Sequence, residues 1–165
     1  MNMLKKTVIA ASLAAVGVVG QAQAQSMSDT FQVSITVEGT CEVLTVSDID
    51  FGLATHGDVD QTGDILVRCS NGLPYTLELS GGQSLDINNR RMGRPNDARG
   101  TGILYQLSAA AGGTVWGTLA SGTAESGVGT GLSNDVAHTV YASTTLTGNE
   151  LIGSYVDTIT ATLTF

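Results

Sequence analysis

"GSYVDTITATLTF", residues 153–165, decides the reading of this chain. Ile159, Ala161, Leu163 and Phe165 alternate with Thr158, Thr160, Thr162 and Thr164, the period-2 pattern of a β-strand with one apolar face. The sequence stops on that Phe, with no turn and no further strand to pair its far edge. An edge of this kind exposes backbone N–H and C=O groups and is an aggregation hazard unless something covers it.

Working outward, the same alternation recurs in short runs separated by Gly, Asn and Asp clusters, and no stretch has a convincing helical period. "DTFQVSITVEG" puts Phe31, Val33, Ile35 and Val37 on one face. "CEVLTVSDIDFG" follows, then "THGDVDQTGD", read as an acidic turn region. "ILVRC" and "PYTLELS" alternate around Asn71-Gly72, a turn signal. "ILYQLSA" and "TVWGTL" read as strands flanking Gly112-Gly113, "ASGTAESGVGTGLSND" as an exposed loop, and "AHTVYAST" as a strand. Roughly seven or eight short strands of this spacing predict one all-β sandwich or barrel domain.

The first two dozen residues stand apart. Lys5 and Lys6 precede a run of apolar and small residues, and Ala22-Gln23-Ala24 is a small-x-small cleavage signal. That layout is a secretory signal peptide, residues 1–24, and its apolar run is short of the ~20 residues of a membrane span. Both lysines lie in it. The mature chain therefore keeps five arginines against fifteen acidic residues, a formal charge of −10, which argues against nucleic-acid or anionic-lipid partners. Cys41 and Cys69 form an even pair in an exported chain, which reads as a disulfide rather than a metal site, with two free buried thiols as the alternative. Such a loop closure stabilises a fold by ~3 kcal/mol on the chain-entropy estimate.

Signals for catalysis are thin. There is no G-x-S-x-G elbow and no H-E-x-x-H, and the mature chain has no Lys for a phosphate loop. His56 and His138 each stand alone and read as surface residues. "DVDQTGDI" places Asp58, Asp60, Thr62, Gly63 and Ile65 at the opening positions of an EF-hand loop, but its twelfth position falls on Cys69 instead of Glu. Arg90, Arg91, Arg94 and Arg99 cluster; they either grip a carboxylate or phosphate or pair with the chain's own acidic groups. Trp116 and Tyr105 are stacking platforms for a carbohydrate only if they are not core residues. The expectation is a non-enzymatic protein without cofactor or metal, with a Ca²⁺- or carbohydrate-binding module as a weaker alternative.

The order of these pieces resembles the spore coat protein U domain family, which includes subunits of archaic chaperone–usher pili. The resemblance rests on residues 31–41, "DIDFG" (48–52), "ILVRCSNGLPYTLELSGG" (65–82), "RRM" (90–92), "ILYQL" (103–107), "TVWG" (114–117), "VYA" (140–142) and the terminal "GSYVDTITATLTF". It implies an incomplete immunoglobulin-like β-sandwich that lacks its last strand and is completed by donor-strand exchange. A periplasmic chaperone lends a strand first, and an outer-membrane usher then exchanges it for the N-terminal extension of the next copy. Carried onto this chain, residues 25–38 are the extension and 39–165 the sandwich. Phe31, Val33, Ile35 and Val37 are the donor side chains. Ile159, Ala161, Leu163 and Phe165 line the acceptor groove, and the disulfide joins Cys41 to Cys69. The expected product is a shaft or adaptor subunit of a surface fibre supporting adhesion or biofilm; the alternative is a self-complete secreted coat protein.

Overall fold

A computed structural model describes residues 25–98 and 101–165. The expected signal peptide, residues 1–24, and Arg99 lie outside the described residues. The chain divides into two units, residues 1–36 and 37–165. In the first, residues 25–36 form neither helix nor strand, and Phe31, Val33 and Ile35 are 83–89% exposed. Alternation alone does not make a strand. The backbone groups need a neighbour and the apolar face needs a surface, and here the run 31–36 has neither.

The second unit is an all-β, immunoglobulin-like sandwich of two antiparallel sheets. One sheet holds β1 (Cys41–Val46), β2 (Gly57–Cys69), β7 (Val136–Leu146), β5 (Ile103–Ser108) and β4 (Arg91–Met92), in that spatial order. The other has β6 (Glu125–Val128), β3 (Pro74–Leu79) and β8 (Ala161–Thr164), with β3 in the middle. Alternation sorts the side chains. Ile65, Val67 and Cys69 of β2, Val140 and Ala142 of β7, and Tyr105 and Leu107 of β5 face Tyr75, Leu77 and Leu79 of β3, with Trp116 packed among them. Cys41 and Cys69 sit opposite each other in the β1–β2 ladder and are joined by a disulfide.

Three sequence expectations change. "THGDVDQTGD" is no turn: from Gly57 onward it is the first half of β2, paired with β7 as far as Leu146. Asp58, Asp60, Thr62 and Asp64 all occupy exposed alternate positions, so the acidic run is one solvent-facing strand face. Thr145 Oγ1 and Thr139 Oγ1 donate to Asp58 and Asp64 from β7, at 2.7 and 2.8 Å. "ESGV" inside the expected loop is β6, held by its register with β3 rather than by apolar content. "TVWGTL" yields only one bridge, Ser108 to Val115, and no strand.

Candidate strand-accepting cleft

Among the described residues each sheet ends on a strand with one neighbour: β1 pairs only with β2, and β8 only with β3. Between them a cleft of about 410 Å³ opens into the sandwich. Its floor is the core itself, including Ile65, Leu79, Leu107, Val140 and Ala142. One wall is the end of β1 and residues 47–51, the other residues 155–161. Ile49, Phe51, Ile159, Ala161 and Leu163 pack against the core yet remain only half-buried.

The hydrogen-bond ladder says which groups face the opening. Thr160 C=O accepts from Ser80 N–H at 3.0 Å, in the same register as Glu78↔Thr162 and Thr76↔Thr164. An antiparallel ladder alternates, so Thr162 and Thr164 bond to β3 while the N–H and C=O of Ala161 and Leu163 point to the unpaired edge. On the opposite wall, Ser47 N–H donates to Asp64 C=O at 2.9 Å, which ties the chain beyond β1 onto β2. Gly63 makes this possible: a Cβ there would lie 2.8 Å from Ile49 Cγ1. A larger residue would push Ile49 outward.

The residues expected to line the groove do not act alike. Ile159 and Ala161 line the cleft; Leu163 is half-buried against the core beyond it. Phe165 is 58% exposed and lies on a separate shallow surface with Pro74, Tyr75 and Val128. Val37 belongs to the second unit and is 83% exposed.

A polar knot closes one end of the cleft. Asp157 accepts from Tyr105 Oη at 2.7 Å, from Gln83 N–H at 2.9 Å and from Thr158 N–H at 2.7 Å. Burial, reinforced by the Asp157 carboxylate, pushes the Tyr105 phenol well above its ordinary range, so it stays protonated and donates. Behind it Arg90 is fully buried. Its guanidinium donates to Ser80 C=O (2.8 Å), Leu79 C=O (3.1 Å) and Trp116 C=O (2.7 Å), leaving Nη1 without a protein partner. Burial lowers its pKa, and the nearby Tyr105 and Asp157 oppose that shift. Asp157 was overlooked in the sequence, although its odd number places it in line with Ile159, Ala161 and Leu163.

The described arginines of the cluster thus serve the domain itself. Arg90 and Arg91 donate to backbone carbonyls, Arg91 to Gly102 C=O at 2.9 Å, and Arg94 pairs with Asp97 at 3.2 Å. Trp116 is 1% and Tyr105 5% exposed, so neither offers a stacking face, and Trp116 Nε1 donates to Leu77 C=O at 2.9 Å. The reading of His138 as a surface residue is corrected. It is half-buried between the sheets, with Nε2 2.8 Å from Tyr75 Oη, and packs edge-on against Trp116. His56 is exposed beside Thr55 Oγ1, at 3.1 Å. Among the described residues no group of three His, Cys, Asp or Glu side chains is placed to hold a metal. The EF-hand reading fails on geometry, since Asp58 and Asp60 lie about 7 Å apart along an extended strand instead of folding round a loop.

Residues 27–162 match the model of the Spore Coat Protein U domain. The chain belongs to that family. No curated protein matches it significantly. Its fold is similar to a chain of the CsuC–CsuE chaperone–tip adhesion subunit pre-assembly complex from the archaic chaperone–usher Csu pili of Acinetobacter baumannii, with a TM-score of 0.55 and 23% identity. The match covers 79% of this spore coat protein U domain chain and 41% of the other, so this chain spans less than half the length of its solved neighbour.

Proposed function

We infer that this chain is a subunit of a cell-surface fibre of the chaperone–usher type, polymerised by strand donation. The observation that carries the reading is the cleft between two strands that each lack a neighbour, in a chain whose residues 31–37 offer an exposed alternating apolar face. Residues 28–37 of one copy enter the cleft of the next. Their backbone pairs with Ala161 and Leu163, and Phe31, Val33, Ile35 and Val37 cover the exposed floor, a β-augmentation. Burying four such side chains stabilises the contact by roughly 6–12 kcal/mol before ordering costs. Donor and acceptor surfaces lie on different parts of the chain, so the contact is head-to-tail and builds a fibre instead of closing.

Before assembly the same cleft takes a strand from a periplasmic chaperone, and an outer-membrane usher carries out the exchange. The signal-peptide layout of residues 1–24 supports export to the surface, where the fibre supports adhesion and biofilm. The chemistry required is pairing and burial; no catalytic group takes part. The test is deletion of residues 28–37. Fibres should vanish from electron micrographs while the chaperone complex still forms; normal fibres from the deleted chain would refute strand donation.

The second reading is a self-complete coat protein, favoured by the family's name. It requires residues 31–37 to fill the cleft of their own domain. It would be supported by a dilute monomer with a single sharp unfolding transition and no affinity for added chaperone.

A further inference from the structure

On the outward face of the five-stranded sheet, acid–hydroxyl pairs stand opposite each other across β2 and β7: Asp58 with Thr145, Asp60 with Ser143, and Asp64 with Thr139. The flanking pairs are closed by hydrogen bonds of 2.7 and 2.8 Å. The middle one is open. Among the described residues neither the Asp60 carboxylate nor the Ser143 hydroxyl has a protein partner. In the next row Tyr141 stands between Thr62 of β2 and Ser108 of β5. The Thr62 and Tyr141 hydroxyls also lack a protein partner among the described residues, and Tyr141 is half-buried.

These groups line a pocket. After β5 the chain turns, with Gly113 N–H donating to Ala110 C=O at 2.9 Å and Gly112 at φ +65°. Ser108 Oγ donates to the same carbonyl at 2.7 Å, which pins the turn to the sheet. Ala111 and Gly112 thereby wall a cavity of about 290 Å³ whose other sides include Asp60, Thr62, Tyr141 and Ser143. Small-molecule pockets run from about 300 to 1,000 Å³, so this one suits a single small ring.

The lining selects the occupant. Among the described residues no Arg, Lys or His lines the cavity, and Asp60 repels an anion. One carboxylate is too few ligands for a hard cation. A wholly apolar ligand would cut four polar side chains off from water without replacing their hydrogen bonds. A sugar ring answers each group. Its C–H face packs on the Tyr141 ring, two adjacent hydroxyls donate to Asp60, and others bond with Ser143 and Thr62.

We propose that this pocket is a saccharide site for a neutral pyranose with two adjacent free hydroxyls, held by Asp60, Thr62, Tyr141 and Ser143. It lies on the face of the sheet opposite to the one that floors the strand-accepting cleft, and it does not depend on strand donation. In a fibre the site recurs once per subunit, so weak single contacts add up to a firm hold on a glycan-coated surface.

The experiment titrates the methyl glycosides of glucose, galactose and mannose, each to 50 mM, into the ¹⁵N-labelled mature chain. At least one should give saturable amide shifts confined to residues 60–62, 111–112 and 141–143, with a dissociation constant of about 1–10 mM. Asp60→Asn and Tyr141→Ala should each weaken that binding about 10-fold or more. Tyr141→Phe, which keeps the ring, should lose no more than about 3-fold, and Asp58→Asn, outside the pocket, should change nothing. Asp60→Asn is exposed and isosteric, so it carries the test even if Tyr141→Ala fails to fold. Methyl glucuronide should bind about 10-fold more weakly than methyl glucoside. The absence of a saturable shift with all three glycosides overturns the site. Saturable shifts that Asp60→Asn leaves unchanged overturn it equally.

Discussion

β3 and β8 are the same kind of strand with different company. "YTLEL" and "TATLT" both alternate Thr or Glu with apolar residues, and they pair with each other, Leu77 opposite Leu163. β3 has β6 on one side and β8 on the other, and its inward residues Tyr75, Leu77 and Leu79 are 0–3% exposed. Among the described residues β8 has β3 alone, and its inward residues Ala161 and Leu163 stay half-buried. Period and propensity are shared; the neighbour is what differs. Burial in a sheet is a property of the ladder as much as of the residue.

The largest effect that would break this comparison is a pair of truncations. Leu77→Ala should destabilise the lone subunit by about 2–5 kcal/mol in denaturant melts, as for a fully buried side chain. Leu163→Ala should cost less than half of that in the subunit, and more once the cleft is filled. Equal costs in the lone subunit would mean that β8 is already covered.

A second, smaller effect sharpens it through pH. His138 links the sheets beside β3, and burial depresses its pKa below 6.5, while Glu125 pulls it back up. A histidine kept neutral by folding gives stability that is present above the unfolded-state value and is lost as pH falls through the depressed folded-state value. Denaturation midpoints of the wild type should therefore fall as pH drops below about 6.5, and His138→Gln should flatten that part of the curve. Carboxylates such as Glu150, held at about 2 by the Thr147 backbone N–H and hydroxyl and by Gly148 N–H, keep their contribution until pH falls through the ordinary carboxylate range and so leave this window to His138.

The smallest effect belongs to the surface. Arg68 meets Glu42 at 3.5 Å and Asp135 at 2.8 Å, with about a third of its side chain exposed. Arg68→Ala should cost no more than about 1 kcal/mol and should lose most of that difference in high salt.

Much of this was legible in the sequence. The strands β3, β5, β7 and β8 announce themselves by alternation. The acidic half of β2 was misread because Asp58, Asp60 and Asp64 suggest a turn by composition, although their even spacing fits a solvent-facing strand. His138 was misplaced despite sharing the even positions of Val136, Val140 and Ala142, a period-2 signal that does place it inward. Asp157 is in phase with Ile159 in the same way. Three features carried no such signal. β6 is a strand only because β3 offers it an edge, Trp116 is fixed by loops, and the burial of Arg90 depends on three carbonyls brought together by the tertiary fold.

Amide exchange along β8, in a subunit lacking residues 28–37, tests the vacancy most directly. The account predicts an alternating pattern: Thr162 and Thr164, bonded to β3, are protected, while Ala161 and Leu163 exchange near the rate of free peptide until a donor strand is added. Uniform protection of all four in the isolated subunit would contradict it.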